Sequence, residues 1–580
     1  MKTKLLLISL LFAAACSNAP EDGNHHLELL TTNDVHGRWF DTDYADGSLK
    51  NSLFAVNHYV DSVRNSTGAG NVILVDAGDC LQGDNGAYYF NYVDTLSPHL
   101  YPRLAGYMGY DAVAVGNHDI ETGHPVYDRV KAQMRKAGVP FLAGNALRTD
   151  NGKPYFDTYT VVDRGGLKVA IIGFTNPNIK GWLSEEIWSG MTFESLLPLV
   201  QETVDAVIAR EKPHVTIVAV HSGSGKGDGS MYENQGLDLY NSLRNVDFVI
   251  SSHDHRALTA ANDSIGFINS GSHCKNIGHG TIDVVVENGE IVSKTISTGL
   301  IKVKAENTDQ EMKKAFSKEY ETVKAFTLQT VGELRSDLRT RDAFAGMSDY
   351  INLLHTLALD KTGADISFAA PLTYNGKVTA GTLIYNDLFT IYPFENQLFT
   401  LRMTGKEIKD YLEYSYEQWI NTVDFKDKDS HILKIRNSGD MRFNQDNWSF
   451  ENRSYNFDSA AGIIYTVDVT KPFGNRISIA STADGSTFDM GQEYTVAMTS
   501  YRASGGGQLL EAGAGISDSG TRIVGRYKEI RDILYEYLQN NGVIDPERTG
   551  DVSVLGHWEF IPEEAAGAGI KKDMALLFGR

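Results

Sequence analysis

Two aspartates, one asparagine and four histidines in the first half of the chain have the types and spacings of a metal centre. Asp34 and His36 stand two apart, as do His253 and His255, and Asp79, Asn117 and His221 lie between the pairs. Carboxylate oxygen together with imidazole nitrogen suits zinc, manganese or iron, whereas calcium takes oxygen alone. A D-x-H or H-x-H pair on a loop lets both side chains turn toward one ion. A single carboxylate such as Asp79 can bridge two ions at the ~3.5–4 Å separation of two-metal hydrolases. Each motif is weak alone: D-x-H is commonly just a loop, and Gly116-Asn117-His118 could be a strand end with a capping asparagine. Their force lies in the order in which they recur.

The elements that must position them repeat one pattern. Apolar runs at Leu27–Thr31, Val72–Val75, Ala112–Val115, Val215–Val220 and Phe248–Ile250 each deliver Asp, Asn or His just past their C-terminal ends. In open α/β sheets the crevice outside the strand C-termini is where ligands bind. A sixth run, Lys168–Ile172, completes the core, and Val284–Ser297 alternates as a hairpin turning at Asn288-Gly289. Thr308–Val331 then reads as one polar helix with Met312, Ala315, Phe316, Tyr320, Val323 and Phe326 on a single stripe, a link between two domains. Beyond it the texture changes. Tyr350–Thr362 is an apolar helix, Thr404 caps another, Gly462–Ile479 and Tyr494–Ser500 resemble strands, Gly505-Gly506-Gly507 marks a tight loop, and Tyr527–Asn540 is a helix.

Composition narrows the classes. The chain has 580 residues with 53 Lys+Arg against 74 Asp+Glu, a net charge of −21, which excludes a protein that coats polymeric nucleic acid. Thirteen of its 16 histidines precede residue 290; only His355, His431 and His557 follow. Met1–Ala15 has a basic start, an apolar run too short to span a bilayer, and small residues before Cys16, an export signal that resembles the lipobox of bacterial lipoproteins and implies lipid on Cys16. A plain secretory signal with an incidental cysteine is the alternative. Cys80 and Cys274 are either buried free thiols or one bridge.

Asp34-Val-His36, Gly78-Asp79, Gly116-Asn117-His118-Asp119, His221 and His253-Asp-His255 together resemble the five blocks of the calcineurin-like metallophosphoesterases. Pro393-Phe394-Glu-Asn396, Thr404-Gly-Lys-Glu407 and Tyr501-Arg-Ala-Ser-Gly-Gly-Gly507 look like the C-terminal domain of the bacterial 5′-nucleotidase family. The resemblance implies an α/β, two-domain architecture: an N-terminal four-layer α/β/β/α domain (26–305), a linker helix (306–332), a C-terminal α+β substrate-binding domain (333–562) and a tail (563–580). A signal (1–15) and tether (16–25) precede them. It implies that Asp34, His36, Asp79 and His255 hold one divalent ion (Mn, Zn, Co or Fe), and Asp79, Asn117, His221 and His253 a second. His118 would assist the leaving oxygen, polarised by Glu121, with Asp119 the less favoured partner. Phe394 and Tyr501 would sandwich a nucleobase; read without the resemblance, they are core aromatics. Asn396 would read a base edge, and Gly505 and Gly506 would let backbone approach the ligand.

The Asn-Gly-Gly-Gly-Ile-Arg stretch of the 5′-nucleotidase branch is replaced here by Ala369-Ala-Pro-Leu-Thr-Tyr-Asn375. That looks more like the branch acting on 2′,3′-cyclic nucleotides and 3′-nucleotides, with Arg502 supplying part of the missing positive charge. The expected protein is an exported, monomeric nucleotide phosphohydrolase, held at a membrane only by lipid on Cys16. A 5′-nucleotidase or UDP-sugar hydrolase and a non-catalytic ligand-binding lipoprotein are the alternatives.

Overall fold

The computed structural model describes residues 20–427, 429–437 and 448–579, so the export signal and Cys16 lie outside the described residues. The first half contains two six-stranded sheets. One runs, in spatial order, Glu290–Lys302, Asn276–Glu287, Gly23–Thr32, Val72–Asp76, Ala112–Ala114 and Phe141–Leu142. The other runs Ala257–Ala261, Gly266–Ser270, Phe248–Ser251, Val215–Val220, Leu167–Phe174 and Tyr159–Arg164. The central strands are continuously apolar because both their faces are covered. Leu27, Leu29, Ile73 and Val75 meet Ile171, Val215, Ile217 and Ile250 between the sheets. The alternate residues Leu30, Val72 and Leu74 pack under the Leu53–Thr67 and Leu100–Met108 helices, while Val218 and Val220 pack under Leu196–Glu211. This is the four-layer α/β/β/α stack.

Parallel pairing aligns the strand ends that matter. Thr31 and Thr32 sit beside Val75 and Asp76, which lead to Val113, and Ala219 sits beside Ile250 in the second sheet. The loops after these strands therefore open at one edge of the sandwich.

The second half is α+β. A five-stranded sheet (Ser459–Ala461, Ile366–Ala369, Glu493–Thr499, Gln397–Thr404, Ile523–Glu529) carries the helices Asp349–Thr362, Gly405–Trp419 and Ile530–Asn541. Thr404 and Glu407 cap the second helix reciprocally, hydroxyl to amide at 3.2 Å and carboxylate to amide at 2.7 Å.

Four expectations change. Residues 306–332 do not form one helix: Gln310–Ala315 and Ser317–Thr327 are separate helices meeting at Phe316, and a strand of the C-terminal half begins at Thr330. Met312, Phe316 and Val323 anchor the pair on the first domain, while Phe326 packs on Tyr385 of the second. The segment 563–580 is not a loose tail. Glu563–Phe578 is a helix that buries Ala566, Ile570 and Leu577 and stacks Phe578 on Phe344. The tether is shorter than 16–25, because Gly23 already begins a strand and His25 pairs with Val284. Helix formation after Tyr527 starts only at Ile530, since Tyr527–Glu529 still pair in the sheet. Cys80 and Cys274 are buried free thiols. Among the described residues no helix is long and apolar enough to cross a membrane.

Candidate active site

At the open edge of the sandwich the structure brings together two groups of potential ligands, Asp34 with His36 and His255, and Asp79 with His221 and His253. Within each group the donor atoms lie within 4.8 Å of one another. Asp34, His36, Asp79, His253 and His255 all have left-handed backbones, with φ of 48°, 48°, 63°, 68° and 58°. Such conformations cost on the order of 1–3 kcal/mol each in non-glycine residues and persist only where surrounding bonds enforce them. Here those bonds run between loops: Asp34 N–H donates to Gly78 O (2.9 Å), His36 N–H to Asp79 O (2.9 Å) and His253 N–H to Asp34 Oδ2 (2.9 Å). Gly116 makes the crossing possible, because a Cβ there would lie 2.0 Å from Asp79 Oδ1.

The donor set fits divalent cations. His221 Nδ1 donates to Ala77 O (2.8 Å), so in the neutral ring Nε2 is a bare lone pair. That nitrogen nevertheless faces Asn117 Oδ1 at 3.0 Å and Asp79 Oδ2 at 3.1 Å, both acceptors. His253 Nδ1 meets the same Asn117 oxygen at 2.9 Å, and His36 Nε2 meets His255 Nε2 at 2.9 Å. At His221, where the carbonyl of Ala77 fixes the tautomer, acceptor meets acceptor, an arrangement that is stable only around positive charge. In the protein alone that charge is a proton: burial draws the His221 pKa down, but Asp79 outweighs it and lifts the ring to about 9. Burial likewise pushes the Asp34 carboxyl up. Asn117 thus stands with the second group, within reach of both its histidines.

His118 is the second residue of the short helix Asn117–Glu121, and its Nδ1 is hydrogen-bonded to Glu121 Oε2. Burial draws the ring's pKa down, but the carboxylates of Glu121 and Asp79 prevail and hold it at about 10. Positive charge held on Asp79 would take back part of that lift and leave Glu121 as the partner that keeps the ring a donor. Asp119 has a different task. It accepts backbone N–H bonds from Asp79 (3.0 Å), Cys80 (2.9 Å), Leu81 (3.0 Å) and Gly116 (2.8 Å), tying two ligand loops together. The sequence reading missed this, as it missed Asp254, whose carboxylate accepts from Ser224 N–H and Asn269. The motif positions were the available signal, since both acids sit beside ligands. Trp182, stacked on His253 at 5.1 Å, and His273, 5.2 Å from His36, carry no local signal.

The C-terminal domain faces this edge. Tyr88 donates to Asp532 (2.8 Å), Tyr92 to Glu395 (3.1 Å) and Asn85 to Asn386 (2.6 Å) across the domain boundary. Burial raises the pKa of both Glu395 and its neighbour Glu529, and each carboxylate also feels Glu121. Phe394 and Tyr501 are half-buried, and each presents itself nearly perpendicular to Tyr455, at 6.1 and 6.3 Å. Tyr455 is thus a third ring of the cluster.

Two C-terminal expectations shift, those for Arg502 and Gly506. Arg502 is not free to meet a substrate: its guanidinium bonds Asp458 through Nε (3.0 Å) and Nη2 (2.8 Å), Gly506 O (2.6 Å), Tyr455 O (2.8 Å) and Asn456 (3.2 Å). Gly506 serves Tyr501 rather than a ligand, because a Cβ there would lie 2.5 Å from the tyrosine ring. At Gly505 a Cβ would have room, and the residue is set by its φ of 95°. Asn396 is buried, with its amide donating to Tyr392 hydroxyl at 3.3 Å.

Comparison with known proteins agrees with this geometry. Residues 27–257 match the calcineurin-like phosphoesterase family, and residues 324–512 match the 5′-nucleotidase C-terminal domain. A trifunctional nucleotide phosphoesterase of Bacillus subtilis is 26% identical over 95% of this chain, which spans 40% of that protein's length. A 2′,3′-cyclic-nucleotide 2′-phosphodiesterase/3′-nucleotidase of Salmonella typhimurium is 23% identical over 87% of this chain and 85% of its own. A putative 5′-nucleotidase structure from Staphylococcus aureus superposes with a TM-score of 0.75 at 20% identity, over 92% of this chain and 99% of that one, and so shares the fold. The chain thus carries a calcineurin-like phosphoesterase domain followed by a 5′-nucleotidase C-terminal domain, the make-up of a metal-dependent phosphoric ester hydrolase.

Proposed function

We propose that the protein hydrolyses 2′,3′-cyclic nucleotides and nucleoside monophosphates outside the cytoplasm, as a lipoprotein anchored through Cys16. The carrying observation is the pairing of two ligand groups around Asp79 and His118 with an aromatic cluster on the facing domain. Asp34, His36, Asp79 and His255 would hold one ion, and Asp79, Asn117, His221 and His253 the other. When bound, the ions supply positive charge to the phosphoryl group and lower the pKa of the attacking water. His118, kept a donor by Glu121, gives its proton to the leaving oxygen. Phe394 and Tyr501 hold the base, which fixes the phosphoryl group at the dimetal edge.

A panel of 2′,3′-cyclic AMP, 3′-AMP, 5′-AMP and UDP-glucose, assayed with Mn²⁺, Zn²⁺, Co²⁺ or Mg²⁺ restored after chelation, tests the reading. Preference for the cyclic substrate and 3′-AMP is expected. A preference for 5′-AMP would move the chain to the 5′-nucleotidase reading, which the relatives of that name also suit. Phe394→Ala is expected to lower kcat/KM for nucleotides roughly tenfold or more, since stacking contributes ~1–3 kcal/mol per base, and to spare 4-nitrophenyl phosphate. Equal losses on both would overturn the base clamp. Cys16→Ala is expected to move the protein from the membrane fraction to the soluble exported fraction; unchanged membrane association would refute lipid anchoring.

A further inference from the structure

Arg502 is consumed inside the C-terminal domain, yet an anion at the His118 edge would meet the carboxylates of Glu121 and Glu395. The other arginines of that face are also committed. Arg531 is fully buried, bonds the carbonyl oxygens of Tyr392 and Phe394, and lies 3.9 Å from the centre of the Phe389 ring. Arg526 pairs with Glu186 at 3.2 Å. Arg453 is different. It is exposed, and among the described residues its guanidinium has no hydrogen bond or ion pair.

Its loop is placed to use that freedom. Arg453 caps the turn Ser454–Asn456, which carries Tyr455 to the edges of Phe394 and Tyr501. The loop is held from both ends, by Asn452 donating to Gln418 O (2.7 Å) and by Arg502 donating to Tyr455 O (2.8 Å) and Asn456 Oδ1 (3.2 Å). The cluster meets the metal-ligand edge across the domain boundary, because the short helix Ser500–Ala503 that carries Tyr501 packs on Ile179–Trp182, whose Trp182 stacks on His253. Aromatic cluster and free cation therefore sit two residues apart on one pinned loop, facing the metal-ligand edge.

We propose that Arg453 binds the phosphoryl oxygens of the substrate, taking the anion-binding role in the C-terminal domain, with Arg502 a positioning residue that pins its loop. A guanidinium can meet two phosphoryl oxygens at once and keeps its charge at every working pH. The inference rests on the phosphoester-hydrolase reading and names the substrate contact within it.

The test uses Arg453→Ala and Arg453→Lys in the full exported chain with its metals loaded. Arg453→Ala is expected to lower kcat/KM about 10- to 100-fold on 2′,3′-cyclic AMP and on 4-nitrophenyl phosphate alike, and to weaken inhibition by inorganic phosphate about tenfold or more. Arg453→Lys is expected to recover part of both losses. Metal content is expected to be unchanged. Unaltered phosphate inhibition, or a loss of activity that tracks loss of metal, would overturn the assignment. Because inorganic phosphate and the nitrophenyl ester carry no nucleoside, a failure of the nucleotide assignment leaves this result readable. The two failures look different: wrong substrates give a wild-type enzyme inert on nucleotides, whereas a wrong role gives an Arg453→Ala enzyme that still binds phosphate normally.

Discussion

Asp79→Ala is expected to leave the purified protein without its normal complement of divalent metal and to lower turnover on the order of 10³-fold, the several kcal/mol that metal charge supplies to phosphoryl transfer. The side chain occupies the middle of the site. Oδ2 lies 3.1 Å from His221 Nε2, while Oδ1 accepts the His118 N–H at 2.8 Å. Burial would push its pKa up, but His221 and His118 hold it well below the usual carboxylate range, so the group is an anion facing histidines from both sides. Removing it leaves His221 and Asn117 presenting acceptors to each other with no carboxylate to draw an ion between them. Asp79→Asn keeps the shape and removes only the charge, so it separates metal loss from collapse of the loop. Metal stoichiometry by mass spectrometry, with circular dichroism confirming the fold, decides the matter. An Asp79→Asn protein that retains two ions per chain would refute a bridging role.

Much of this constellation was legible because its side chains are delivered locally. Asp34, Asp79, Asn117, His221 and His253 each follow a buried strand within a few residues, and parallel pairing brings the strand ends to one edge. Apolar run, loop and ligand therefore appear side by side in the sequence. Glu121 was readable for the same reason, being one helical turn from His118. The C-terminal domain was harder because its partnerships are remote. Arg502 looked like a spare cation, but Asp458 lies 44 residues away and nothing nearby announces the pair. The Gly505–Gly507 run was seen, yet its reason (a tyrosine ring resting on Gly506) exists only after folding. Glu563–Phe578 lies past the end of the family resemblance at residue 562, and its buried stripe of Ala566, Ile570 and Leu577 has meaning only once the chain has folded. The break at Phe316 is invisible to periodicity, since the ring sits on the stripe and still serves as the joint between two helices.

His118→Ala is expected to behave differently from the loss of Asp79, lowering turnover by about 10²–10⁴-fold, the range for a positioned general acid, while leaving metal content intact. Metal should remain because the imidazole belongs to neither ligand group. The backbone N–H that bonds Asp79 survives the substitution as well. What disappears is a donor whose Nδ1 is fixed by Glu121, so that Nε2 is the atom left to serve the substrate. Leaving-group chemistry then separates acid catalysis from simple binding. A nucleoside alkoxide is a poor leaving group and needs the proton, whereas 4-nitrophenolate departs without it. The loss should therefore be large for 3′-AMP and small for 4-nitrophenyl phosphate, with Glu121→Gln falling between wild type and His118→Ala on the nucleotide. Equal losses on both esters would assign the ring to holding the phosphoryl group and not to protonation. Full turnover with both metals present would remove His118 from the chemistry altogether.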